Sequence, residues 1–139
     1  MDFSSINWLA VLACVVAAMV IGSVWFNPKT FFPAWWQAIG KTGEPGMGGN
    51  MGLTWGLTVL AALVQAIFMS LMVTAMGSMS GGATLVSGIT SGFLLWMGFV
   101  VPSSLTNKIF SAQFKAWFIE VGNHLVTFVV MGAILGAWR

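Results

Sequence analysis

Residues 53–76 read LTWGLTVLAALVQAIFMSLMVTAM, twenty-four positions without a charged side chain. A chain needs about 20 apolar residues, at about 1.5 Å of rise each, to cross a hydrocarbon layer of about 30 Å as a helix. This stretch meets that length, with GMGGNMG before it and GSMSGG after it. It is therefore read as a transmembrane helix, and the rest of the chain follows from asking whether its neighbours do the same.

They do. Asn7–Phe26 is a second such segment, ending before Asn27-Pro28; Thr84–Val101 is a third, with Pro102 expected to stop it; Ala116–Trp138 is a fourth. The spans thus lie near 7–26, 53–76, 84–102 and 116–138, in a single domain covering 1–139. Lipid offers no hydrogen bonds to backbone groups, so spanning segments of this length are helices, whereas a β-barrel would show short alternating strands. The fold class is an all-α membrane protein of four transmembrane helices. The first helix follows Asp2 with no basic side chain before it and runs longer than the about 7–15 residues of a signal h-region, so it is read as retained.

Composition agrees. Charged residues are 6% of the chain and hydrophobic ones 58%, with mean hydropathy +0.94. A soluble domain carries about 25% charge, so lipid is the expected solvent for most of this surface. Five basic groups are too few and too scattered for a nucleic-acid footprint. The single cysteine, Cys14, excludes an internal disulfide or a cysteine cage for a metal.

Charge sets an expected orientation. Lys29 and Lys41, offset by Glu44, lie between helices one and two; Lys108 and Lys115 lie between helices three and four. The middle turn, 77–83, is uncharged. The positive-inside rule places both lysine-bearing loops in the cytoplasm and both termini outside, with Arg139 against the trend. A multi-pass cell-membrane location, of the bacterial inner-membrane kind, is expected. Within the first loop, Phe31, Phe32, Trp35, Trp36 and Ile39 form an apolar face flanked by lysines, which predicts a short interfacial helix. The glycine-rich stretch after it reads as a flexible linker. NPKTFFPAWW and NKIFSAQFKAWF also echo one another faintly, as a duplicated hairpin would.

Small residues at four-residue spacing recur in every span: Ala18 and Gly22, Gly52 and Gly56, Gly88 and Gly92, Gly132 and Gly136. They predict close helix packing, and the little interior of so small a unit suggests a homo-oligomer. Trp8 and Trp138 fall at one membrane boundary, and Trp25, Trp35, Trp36, Trp55 and Trp117 at the other. Trp96 lies deep in helix three and needs a partner for its indole N–H. Gln65, at the centre of helix two, is read as an interhelical hydrogen-bonding group.

The fourth helix carries the chemistry. Glu120, Asn123, His124, Thr127 and Met131 lie along one stripe, with Glu120 and His124 a turn apart. From the rise per residue, Glu120 sits about 6 Å into the span and His124 about 12 Å. Ionisable groups at such depth face a cavity or a partner. Two readings stand. In one, Glu120, His124, Asn107, Trp25, Asn123 and Trp96 bind a small ligand, lipid headgroup or ion, with Glu120 and His124 as protonatable groups for transport and Lys108 or Lys115 as counter-charge. In the other, Glu120 reaches the headgroups, His124 bonds a neighbouring helix, and the protein is a structural or accessory subunit. No catalytic, dinucleotide, phosphate-loop or paired metal-ligand motif is present, so no enzyme activity, metal or cofactor is expected. The expected partners are the lipid bilayer and a further copy or another membrane subunit.

Order and motif together carry a resemblance. NWLAVL, VWF followed by a proline, AWWQAIG, LLWMGFV, LTN, GNHL and MGAILGAW, in that order, resemble the DUF1761 family over nearly the whole chain. The matching positions are Asn7, Trp8, Trp25, Pro28, Trp35, Trp96, Gly98, Phe99, Asn107, His124, Gly132 and Trp138; Trp25-Phe26 and Gly-Asn-His at 122–124 depart from the pattern. The resemblance implies four membrane helices and no particular activity.

Overall fold

The computed structural model describes residues 2–42 and 50–138. Four helices in it are long and apolar enough to cross a membrane: Trp8–Trp25, Met51–Ser78, Leu85–Phe110 and Phe114–Ala137. No strand occurs among the described residues, and the chain is a multi-pass membrane protein. Glu44, Arg139 and most of the expected linker lie outside the described residues.

The elements are α1 (Trp8–Trp25), α2 (Phe32–Ala38), α3 (Met51–Ser78), α4 (Leu85–Leu95), a π-helical turn (Trp96–Val100), α5 (Val101–Phe110) and α6 (Phe114–Ala137). Polar caps start three of the four spanning helices. Asn7 accepts from Ala10 N at 3.1 Å, Asn50 from Leu53 N at 3.1 Å, and Thr84 forms a reciprocal capping box with Ser87. The seven-residue α2 lies between the first two spans.

Pro102 does not end the third span, contrary to the sequence expectation. Its missing N–H and its ring, which crowds the carbonyl four residues back, are incompatible with an unbroken α-helix. The chain absorbs this by widening one turn before it, where Val101 N–H donates to the carbonyl of Trp96, five residues back. The helix then runs on to Phe110. Its hydroxyls bond its own carbonyls: Ser103 to Phe99, Ser104 to Val100 and Thr106 to Pro102, at 2.5, 2.6 and 3.0 Å. The hydroxyl donors are thereby satisfied inside the segment.

The echo between the two loops does not carry into structure. The first stretch folds as a turn followed by α2, whereas the second passes from α5 into α6 through a tight turn at 111–113. Ala112 holds that turn at φ 57°, the left-handed region. A Cβ there costs about 1–2 kcal/mol, while glycine adds about 0.5–1 kcal/mol of unfolded-state entropy. Ala112→Gly should therefore raise stability by about 0.5–1 kcal/mol, readable as a higher midpoint in detergent unfolding.

Close packing is concentrated in one helix pair. A Cβ added to Gly88 would fall on the carbonyl oxygen of Gly132, and one added to Gly132 on that of Gly88. Gly92 faces the carbonyl of Phe128 and Gly136 that of Thr84 in the same way. The α4 and α6 backbones thus touch along two turns of each helix. Gly22 and Gly56 meet nothing within 4 Å, so the spacing motif is used in two of the four spans.

The apolar core is lopsided. Val11 and Cys14 of α1, Met69 and Val73 of α3, and Met131 and Leu135 of α6 fill one half of the bundle. That half ends where Asn7 Nδ2 donates to Trp138 O at 3.3 Å. In the other half, residues 15–25 of α1 and 93–115 include no buried position, and residues 52–61 of α3 are all exposed. All four lysines lie at this less filled end, on or beside α2, α5 and the first turn of α6.

Candidate functional site at the lysine-bearing end

α6 is the central element here, and tryptophans tie its first turns to the surrounding helices. Trp25, the last residue of α1, donates its indole N–H to Ile119 O at 2.8 Å, and its ring lies flat enough on α6 that a Cβ at Gly122 would come within 2.9 Å of it. From the π-helical turn, Trp96 donates to Val121 O at 2.9 Å. The partner required for this deep indole is therefore a helix carbonyl, shared with the α-helical ladder. Trp117 of α6 reaches outward to Ser104 Oγ on α5 at 3.1 Å. Of the tryptophans expected as a boundary belt, Trp25 and Trp117 thus act as interhelical donors.

Glu120 is held by two elements. One oxygen, Oε1, accepts from Trp35 Nε1 of α2 at 2.9 Å and pairs with Lys108 Nζ of α5 at 3.3 Å. The two side chains are 21% and 18% exposed, so the pair is mostly shielded yet open at one edge. Lys108 also approaches Gln113 Oε1 at 3.4 Å, and Gln113 Nε2 donates to Ile39 O at 3.1 Å. These contacts dock α2 and its exit against the start of α6. Phe31, Phe26 and Phe32 pack their rings around Trp25 and Trp35 at 4.7–5.7 Å.

A turn deeper the polar groups are unpartnered. Asn123 Oδ1 is buried and has no hydrogen-bond partner among the described residues. His124 is half-buried and makes no hydrogen bond or ion pair there. On the helix, His124 shares the face of Met131 and Leu135, which the core covers further along. Trp36 Nε1 on α2 is also buried without a partner, with Lys41 Nζ 5.8 Å from its ring centroid.

Five of the six residues singled out from the sequence thus separate into three groups. Trp25 and Trp96 contact the α6 backbone; Glu120 is ion-paired; Asn123 and His124 are the unpartnered pair. Asn107 is exposed and its side chain bonds nothing among the described residues; its neighbour Lys108 makes the contact instead. Lys115 is exposed as well. Trp35 was not among the site residues, although it is a donor-only side chain in an aromatic helix near a membrane carboxylate. The two are 85 positions apart, and only the docking of α2 brings them together. No group of three potential metal ligands gathers among the described residues.

The family model described as "Protein of unknown function (DUF1761)" matches residues 9–136. The chain belongs to the DUF1761 family. It matches no curated protein and no solved structure. The matched span takes in every element described above except the outermost residues of α1 and α6, so the whole tryptophan-stitched arrangement is contained in the DUF1761 region.

Proposed function

We propose that the lysine-bearing half of this DUF1761 protein binds a small polar ligand, lipid headgroup or ion, with Asn123 and His124 as the contacting groups. The observation that carries this reading is the buried, unpartnered Asn123 Oδ1 beside a His124 that bonds nothing. A buried acceptor left unmade costs about 1–3 kcal/mol, and such a group calls for an explanation. A ligand that donates a hydrogen bond supplies one. In its sharper form the site passes protons: Glu120, at the edge, and His124, a turn deeper, form a two-step path from the lysine-bearing face. In this reading that face is cytoplasmic, by the lysine bias, α2 lies in the headgroup layer, and the membrane is the cell membrane.

A second reading is favoured by a different observation. Glu120 has both its partners within the chain, and three indoles are spent on stitching helices, as befits an accessory subunit whose polar groups serve packing alone.

Asn123→Leu and His124→Ala separate the two. Under the ligand reading both variants stay folded and lose proton flux in liposomes carrying a pH-sensitive dye, measured against wild type. Under the packing reading both variants fail to assemble or unfold at a lower temperature, and wild-type liposomes are no more proton-permeable than empty ones. Cysteine labelling beside Lys41 from outside intact cells tests the orientation; labelling there reverses it.

A further inference from the structure

Gln65 was expected to hydrogen-bond a neighbouring helix, and within this chain it does not. Its side chain makes no hydrogen bond among the described residues, yet it sits at mid-membrane. It is fourteen residues from Met51 and thirteen from Ser78, so about 20 Å from either end of α3. The amide carries two donors and an acceptor oxygen, and hydrocarbon satisfies neither. It opens onto an apolar groove of about 300 Å³ between α3 and the π-helical turn, walled by Phe68, Leu95, Phe99 and Phe128. Of the buried face of α3, which includes Ala62, Ala66, Met69 and Val73, only Met69 borders this groove.

Gln65 belongs to a regular outward stripe. Thr54, Thr58, Ala61, Gln65, Phe68 and Met72 follow at steps of four, three, four, three and four residues. This is the spacing that keeps one seam facing a second helix at a shallow left-handed crossing. Thr54 and Thr58 turn their hydroxyls onto their own helix, at 3.0 and 2.8 Å, leaving small methyl surfaces beside Ala61. Around them, residues 52–61 are exposed on every side, so no described residue blocks an approach.

We infer that α3 is the contact helix of a parallel homodimer, in which the two Gln65 amides hydrogen-bond each other across a two-fold axis along the membrane normal. The occupant follows from what Gln65 lacks. A lipid tail at this depth offers no polar group. A second copy inserted in the same orientation brings an amide at the same depth, and an amide, being donor and acceptor at once, complements itself on a two-fold axis. Membrane association rests on such packing and polar contacts. The dimer stands or falls independently of ligand binding at His124.

The test uses the full chain with Cys14, its one cysteine, replaced by serine. Gln65→Cys on the seam should form a disulfide-linked dimer on mild oxidation in native membranes, because only facing positions bring Cα atoms within disulfide reach. Leu60→Cys, exposed but off the seam, should stay monomeric. In liposomes, with labelled protein diluted in lipid, Gln65→Leu should raise the dimer dissociation constant about tenfold while Gln65→Asn stays closer to wild type. No cross-link at 65 in folded protein, or dilution curves that coincide for wild type and Gln65→Leu, overturns the dimer and leaves the groove to lipid or to a different protein.

Discussion

Gly132→Ala is expected to destabilise the protein by about 3 kcal/mol, and Gly132→Val to prevent the bundle from assembling. The new Cβ falls on the carbonyl oxygen of Gly88. Backbone cannot swing aside as a side chain can, so α4 and α6 must move apart. That separation weakens contacts along both helices, those at Gly92 and Gly136 included. Gly88→Ala meets the carbonyl of Gly132 and should cost a similar amount. The double variant should cost less than the sum, because the first Cβ already opens the gap that the second needs. Gly22→Ala and Gly56→Ala, with nothing within 4 Å, should instead raise stability by about 0.5–1 kcal/mol through helix propensity. Unfolding by denaturing detergent, followed by circular dichroism, measures all five. Equal small gains at all four single sites would show that helix propensity, and not contact, decides the effect.

Lys108→Ala should cost about 2–3 kcal/mol, more than a surface ion pair would, because it leaves Glu120 as an uncompensated carboxylate in a mostly shielded position. The range is set below the figure for a fully buried pair, since both side chains keep some exposure. Adding Glu120→Gln to Lys108→Ala should recover much of the loss: the charge is gone, and a glutamine oxygen can still accept from Trp35. The double-mutant cycle isolates the pair from the rest of the cluster. Loss of the pair should also loosen α2, which is docked through the same carboxylate oxygen. Hydrogen exchange of the α2 amides is the readout, and unchanged protection in Lys108→Ala would mean that the aromatic packing of Phe32 and Trp35 holds α2 without the charge.

Much of this architecture was legible because it depends on local sums. The number of spans follows from segment length and hydropathy, quantities that each stretch carries alone. The expectation that Trp96 needs an internal partner also held, since burying an indole N–H imposes that need wherever the partner is found. Pro102 was misread for an instructive reason. Its rule concerns the regular α-helix, and a single wide turn over Trp96–Val100 satisfies the same constraint while keeping the span continuous. Spacing was equally ambiguous for glycine. The motif at 52 and 56 is indistinguishable in sequence from that at 88 and 92, yet only the latter has a facing helix.

The candidate site shows the same division at higher stakes. Glu120 and His124 could be placed on one stripe and at a depth from helical geometry alone, and Lys108 was in view as a counter-charge. Which of two lysines it would be, and that an indole 85 positions away would share the same oxygen, required α2 and α5 to be docked on α6. Asn107 was expected in the cluster as a contacting group, but α5 leaves it exposed. The sequence by itself determined that this chain is four apolar helices with its polar groups concentrated on the last of them, because hydrocarbon demands long, internally bonded segments. Only the tertiary structure decided which polar groups are spent on each other and which are left over, because hydrogen-bond partners are chosen by the relative placement of helices and not by periodicity along any one of them.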